Sequence, residues 1–89
     1  GSHDSHGSHC DSHGSLARTL VRLLLNSYSI CKQKIGITEP DILLEQCRAI
    51  ENSRRKLALY FFQSILSCRT ICREQQRLYV ARDSLEQVT

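Results

Sequence analysis

The sequence lacks most of the residues that interrupt helices. After Ser15 it contains one glycine, Gly36, and one proline, Pro40, and it has no tryptophan or methionine anywhere. Glycine can end a helix in a left-handed conformation, and Thr38 as an N-cap with Pro40 two residues later favours the start of the next helix. The sequence therefore predicts long helices from residue 16 onward, with one firm turn near residues 36–40.

Groups for catalysis are also scarce. All four histidines lie in the first thirteen residues, and the sequence has no glycine-rich phosphate loop. The early acids of the domain, at positions 39, 41, 45 and 51, are placed as expected for the first turns of a helix. Because no nucleophile has a base nearby, the sequence predicts no catalytic residue, no small-molecule substrate and no cofactor.

Cysteine is present but does not form a metal-binding motif. Cys68 and Cys72 lie one helical turn apart. A closed zinc site needs about four ligands, and the residues after 15 contain no histidine to supply them. The cysteines are therefore interpreted as small buried hydrophobic residues, with no metal site.

The first fifteen residues differ in composition from the rest. They hold three of the four glycines, all the histidines and no aliphatic residue. Such a segment buries too little apolar surface to offset its ordering entropy, so residues 1–15 are predicted to be a disordered tail and residues 16–89 a single helical domain. The opening Gly1-Ser2-His3 is typical of a purification-tag remnant, and we expect the domain to be a fragment of a larger protein.

The domain is moderately basic, and its cysteine content favours an intracellular location. Residues 16–89 carry twelve Lys and Arg against seven Asp and Glu, a net charge of +5. Five cysteines are an odd number, unlike the even pairing of small secreted scaffolds. Polar residues interrupt every apolar run well before the roughly eighteen residues of a membrane span. We predict a cytoplasmic or nuclear protein without a membrane span.

The spacing of apolar residues predicts an all-α fold. In residues 16–35 they recur every three or four positions, as in an amphipathic helix. Residues 39–86 carry a second apolar series with the alternating register of a coiled-coil seam. The seam and core residues predicted from it are Leu43, Cys47, Ile50, Leu57, Phe61, Ile65, Cys68, Ile71 and Leu78.

Two arrangements of residues 39–86 remain open. One continuous helix would be about 70 Å long against about 30 Å for the first helix, so most of it would need cover from another chain. A break in the polar segment 51–56 would give a compact three-helix bundle instead. Arg54, Arg55 and Lys56 oppose a helix start there, because cations disfavour the positive end of a helix. The sequence therefore favours a helical hairpin with a long second helix, associating as a coiled-coil-like or helical-bundle oligomer.

Residues 56–66, KLALYFFQSIL, contain more apolar side chains than one helix face can hold. On a helical wheel, Leu57, Phe61 and Ile65 face the seam. A second apolar stripe, formed by Leu59, Phe62 and Leu66, lies on the opposite side. An apolar stripe with a basic rim is typical of a protein-binding surface, although other helices of the same chain could also cover it. The predicted partner-binding residues are Leu59, Phe62, Leu66, Arg55, Arg69 and Arg73.

Arginine spacing supports an alternative function. Arg69, Arg73 and Arg77 recur every four residues, and such a row can follow the phosphates of a nucleic acid. No helix-turn-helix or zinc-finger motif accompanies the row. We therefore predict a non-enzymatic protein–protein interaction or oligomerisation scaffold. Its partner would be a second copy in a homodimer or a helical segment of another protein, with nucleic-acid binding as the alternative.

Overall fold

Three packed α-helices make up the described part of the chain. The computed structural model describes residues 13–34 and 40–87. Helix α1 spans His13–Lys34, α2 spans Pro40–Gln63 and α3 spans Cys68–Gln87. These ranges contain no strand, so the predicted all-α fold is confirmed. In these ranges no helix combines the length and the apolar character that crossing a bilayer requires.

The helix ends agree in part with the sequence. Helix α2 begins at Pro40, whose missing N–H costs nothing in a first turn, and Asp41 adds a carboxylate at the positive end of the helix. Lys32 and Lys34 occupy the last turn of α1. Helix α1 begins at His13, earlier than the predicted start at Leu16. Most of the predicted turn, at residues 35–39, and most of the predicted tail, at residues 1–12, lie outside the described residues.

The continuous second helix favoured by the sequence is interrupted at residues 64–67. The alternative break at residues 51–56 is wrong in position, since that segment lies inside α2. The described residues therefore form the three-helix arrangement, and the connection between α2 and α3 lies further along the chain than the sequence suggested.

A Schellman motif ends α2. Ser64 adopts a left-handed backbone conformation with φ of 55°. Its N–H donates to the carbonyl of Phe61 at 3.2 Å, and the N–H of Ile65 donates to the carbonyl of Tyr60 at 3.0 Å. These two bonds satisfy carbonyls that a helix end otherwise leaves free. The helix thus stops at Gln63 without a glycine.

Helix α3 begins with Ser67 as its N-cap. The Ser67 hydroxyl accepts a hydrogen bond from the N–H of Thr70 at 3.2 Å, and its carbonyl accepts the N–H of Ile71 at 2.9 Å. A serine in this position satisfies one of the free N–H groups of the first turn. Four residues therefore both end one helix and start the next.

The three helices alternate in direction. Phe61 lies beside the start of α1, next to Ala17, whereas the Tyr28 hydroxyl further along α1 bonds to Glu51. Helix α2 is therefore antiparallel to α1, and the four-residue connection turns α3 back along α2. The start of α1, the end of α2 and the start of α3 share one end of the bundle. We call it the loop end, after the 64–67 connection.

Apolar side chains from all three helices form one core. Leu20 of α1, Ile50 of α2 and Leu78 of α3 are fully buried. Each such side chain contributes about 1.5 to 3 kcal/mol relative to an exposed position. The other buried apolar residues are Ala17, Leu23, Leu24, Cys31, Leu43, Leu57, Ile71, Ala81 and Leu85.

Candidate interaction surface

Four large apolar side chains are exposed together at the loop end. Phe62 is 87% exposed, Ile65 56%, Leu59 50% and Phe61 45%. All four fall within seven positions of the chain, in the last turn and a half of α2 and the connection after it. We call this set the loop-end patch. Single exposed apolar residues are normal on a protein surface, whereas several large ones close together in the chain are a feature of interaction sites.

Helix geometry explains why these side chains are exposed. Helix α2 stops at Gln63, so no further turn lies beyond Phe62 to share cover with it. Tyr60 and Leu66 point the other way and pack against the core, where both are partly buried. The segment 59–66 thus divides its apolar residues between the interior and the surface.

The residues predicted to bind a partner are placed mainly on the surface. Leu59 and Phe62 belong to the loop-end patch, while Leu66 is partly buried against the core. The three predicted arginines, Arg55, Arg69 and Arg73, are exposed. The structure therefore brings two members of the predicted stripe together and turns the third inward.

The predicted seam residues divide into two groups. Leu43, Ile50, Leu57, Ile71 and Leu78 are buried, and Cys47 and Cys68 are partly buried. Phe61 and Ile65 are instead exposed members of the loop-end patch. The heptad register that assigned them to the seam assumed a helix running through residues 64–67, and the Schellman motif ends that helix.

A shallow apolar groove adjoins the loop-end patch. It lies between Phe61 and the first turns of α1 and is lined by Gly14, Ala17, Arg18, Val21, Arg22 and Phe61. Ala17 is buried and Val21 is half-buried, whereas Arg18 and Arg22 are exposed. The groove therefore has an apolar floor with two guanidinium groups beside it, spaced one helical turn apart. Arg18 and Arg22 were not among the predicted binding residues.

Positive charge is concentrated at the loop end. Residues 13–34 and 52–73 contain no Asp or Glu, although they include Arg18, Arg22 and Arg69. The exposed carboxylates of the described helices lie towards the opposite end, at Asp41, Glu45, Asp83 and Glu86. Along the axis of α2, Glu45 lies about 27 Å from Gln63, the last residue of the helix. An apolar patch in a basic setting is thus separated from most of the negative charge of the bundle.

The arginine row on α3 is exposed, and one of its members forms an ion pair within the helix. Arg69, Arg73 and Arg77 all reach the surface. The Arg77 guanidinium donates to Glu74 at 3.1 Å, and Arg73 and Arg77 also line a groove between α2 and α3. The nearby Glu74 carboxylate therefore weakens the positive field along the end of the row that Arg77 occupies.

The buried thiol of Cys31 is not activated. Burial is the largest cause that raises the pKa of Cys31 to about 12, and a hydrogen bond with Cys47 raises it further. A thiol with so high a pKa stays protonated at neutral pH and is a poor nucleophile. Cys31, Cys47 and Cys72 are free thiols. Among the described residues no three metal-ligating side chains cluster.

Comparison with known proteins adds no relative. No protein-family model matches this chain, and it has no match among curated proteins or solved structures. Function is therefore inferred from the surface of the bundle alone.

Proposed function

We propose that this chain is a non-enzymatic, intracellular interaction module that binds another protein chain through the loop-end patch. The bound chain is a second copy or a helical segment of another protein. The observation that carries the proposal is the exposure of Phe62, at 87%, among three other large apolar side chains.

The chemistry of the patch supports a protein partner. Covering one large apolar side chain contributes about 1.5 to 3 kcal/mol, so the patch holds enough apolar surface to drive association. Aromatic residues are enriched in the centres of protein interfaces, and the patch contains both phenylalanines of the sequence. Exposed arginines lie beside it, at Arg18 and Arg22 in the groove next to Phe61, as in the polar rim of an interface.

A pair of matched substitutions tests the proposal. Phe62→Glu places a charge in the centre of the patch, and Leu44→Glu places the same charge on an exposed apolar residue, 49% exposed, near the other end of α2. We expect both variants to keep the helicity of the wild-type protein in circular dichroism, because neither position is buried. Each protein is then immobilised and exposed to labelled copies of the chain and to an extract of the source cells.

The expected result is a bound chain that the wild-type protein and Leu44→Glu retain and Phe62→Glu loses. The complex is confirmed by light scattering of the purified components under reducing conditions. The proposal is contradicted if the wild-type protein is strictly monomeric and retains no other chain whose binding is lost in Phe62→Glu. Unfolding of Phe62→Glu also contradicts it, because the patch would then belong to the core.

Nucleic-acid binding is the second candidate, and the exposure of Arg69 and Arg73 supports it. Reversing the charge of Arg69, Arg73 and Arg77 together should abolish binding to DNA or RNA, and binding by the wild-type protein should weaken steeply with salt. Absence of binding by the wild-type protein at low salt excludes this candidate.

A further inference from the structure

We infer that the loop-end patch binds an acidic amphipathic helix of another protein, rather than a second copy of this chain. The inference rests on the proposed function, since it identifies the chemistry of the partner for the same surface. Charge complementarity and the groove beside Phe61 carry it.

The charge around the patch disfavours a second copy. Arg18 and Arg22 line the groove next to Phe61, and Arg69 lies in the first turn of α3, directly after the connection that holds Ile65. Residues 13–34 and 52–73 contain no carboxylate that could face these cations from an identical surface. A dimer formed patch to patch would therefore bring like charges together, with no carboxylate from these two ranges to compensate them, which is destabilising.

The same charges suit an acidic helix. Arg18 and Arg22 are four residues apart on α1, so their side chains project from the same face about 6 Å apart along the axis. Glutamates at the same spacing on a helix lying along α1 could meet both guanidinium groups. Its apolar face would then cover Phe62 and fill the groove between Phe61 and Val21.

The groove favours a peptide over a lipid surface. An anionic membrane also attracts exposed phenylalanines in a basic setting. However, the floor of the groove includes the buried Ala17 and half-buried Val21, which are less exposed than the flanking Arg18 and Arg22. A side chain from a partner helix can reach such a floor, whereas a flat lipid surface would contact only the projecting residues.

Three synthetic peptides of about five helical turns each provide the test. All share one stripe of Leu and Phe at helical spacing, and the flanking positions are Glu in the first peptide, Gln in the second and Lys in the third. Binding to the whole chain is measured by isothermal titration calorimetry at low and at high salt. We expect the Glu peptide to bind about tenfold or more tightly than the Gln peptide at low salt, with a smaller difference at high salt. The Lys peptide should bind most weakly.

Variants of the chain locate the effect. Arg18→Gln with Arg22→Gln should remove the preference for the Glu peptide while leaving binding of the Gln peptide. The matched control changes two exposed cations at the far end of α1 and in the first half of α2, as Lys32→Gln with Arg48→Gln, and should preserve the preference. Phe62→Gln, which introduces no charge, should weaken the binding of all three peptides.

The possible failures separate this inference from the proposed function. Equal binding of the three peptides, lost in Phe62→Gln, overturns the acidic partner but supports a protein-binding patch. The same holds if no peptide binds but light scattering shows a dimer that Phe62→Gln dissociates. If neither peptides nor a second copy bind, both ideas fail. Binding to vesicles of anionic phospholipid without peptide binding also overturns both, because the patch would then be a lipid-binding surface.

Discussion

One carboxylate, Glu74, is buried in the middle of the bundle. Its side chain is almost inaccessible, and it accepts hydrogen bonds from the Ser53 hydroxyl at 2.9 Å and from Arg77 at 3.1 Å. Burying a carboxylate without partners is costly, so these contacts compensate for its loss of hydration. Arg77 itself is half exposed, which makes it the partner that a substitution can remove with least disturbance of the core.

Removal of Arg77 should destabilise the fold through Glu74. We expect Arg77→Ala to lower the free energy of unfolding by about 1 to 3 kcal/mol, since the buried charge would keep only the Ser53 bond. In a Glu74→Leu background the same change should cost about 0.5 kcal/mol or less, because no buried charge remains. Urea unfolding of the four proteins measures both values. Equal costs in the two backgrounds would show that Arg77 acts independently of Glu74.

A cluster of polar side chains around Glu51 joins α1 to α2 at the surface. The Tyr28 hydroxyl donates to Glu51, and Arg54 donates to the same carboxylate at 2.6 Å. Arg55 adds an ion pair with Glu51 at 3.2 Å. The hydrogen bond from Arg54 is the main cause that lowers the pKa of Glu51 below its usual value.

The lowered pKa of Glu51 predicts that the stability of the fold depends on pH. A carboxylate whose pKa is lower in the folded chain stabilises the fold above its unfolded pKa of about 4.3, and this contribution disappears as the pH falls through the folded value. We therefore expect the loss of stability below about pH 5 to be smaller in Glu51→Gln than in the wild-type protein. Urea unfolding at several pH values measures it. Glu45→Gln, an exposed carboxylate on the same helix, is the control, and an equal reduction in that variant would exclude a specific role for Glu51.

At the scale of elements, the 64–67 connection defines the architecture. Its two serines have different tasks, since Ser64 takes the left-handed conformation that ends α2 and Ser67 caps α3. A left-handed conformation is unfavourable for residues with a Cβ, whereas a serine N-cap is among the most favourable choices.

Substitution of the two serines should therefore have opposite effects. Ser64→Gly should raise the free energy of unfolding by about 0.5 to 1 kcal/mol, because glycine adopts the left-handed conformation without steric cost. Ser67→Ala should lower it by about 1 kcal/mol through loss of the cap. Both are measured by urea unfolding, with Ser29→Ala on the exposed face of α1 as a reference. Destabilisation by Ser64→Gly would contradict the role assigned to the Schellman motif.

The predictability of the fold differs between its elements. Apolar spacing is enough to predict helices and to identify core residues such as Ile50 and Leu78, because burial follows helical periodicity. The connection was missed because Ser64 is not a residue that usually adopts a left-handed backbone, although Ser67 followed by Thr70 is a recognisable N-cap pattern. Arg18 and Arg22 were missed because their place beside Phe61 depends on where α2 ends. A local pattern cannot supply that information.

At the scale of the whole molecule, stability depends on contacts between the two ends of the chain. Leu20 of α1 and Leu78 of α3 are both buried in the single core, although about 58 residues separate them in the sequence. Helix α3 reaches α1 only because the 64–67 connection reverses the chain. The bundle should therefore unfold as one cooperative unit, since loss of α3 exposes the core face of α1.

The four-residue connection also makes exchange of helices between molecules accessible. If residues 64–67 became helical, α2 and α3 would form one straight rod, and α3 could regain its core contacts only on the α1 of a second molecule. Ser64→Ala with Ser67→Ala favours that rod, because it removes the cap and inserts two strong helix formers. We expect this double variant to form a domain-swapped dimer with the helicity of the wild-type protein, as measured by light scattering and circular dichroism. A monomer with reduced stability would show that other contacts hold the turn. If the swapped dimer forms, Ser64 and Ser67 determine whether the same helix contacts are made within one molecule or between two.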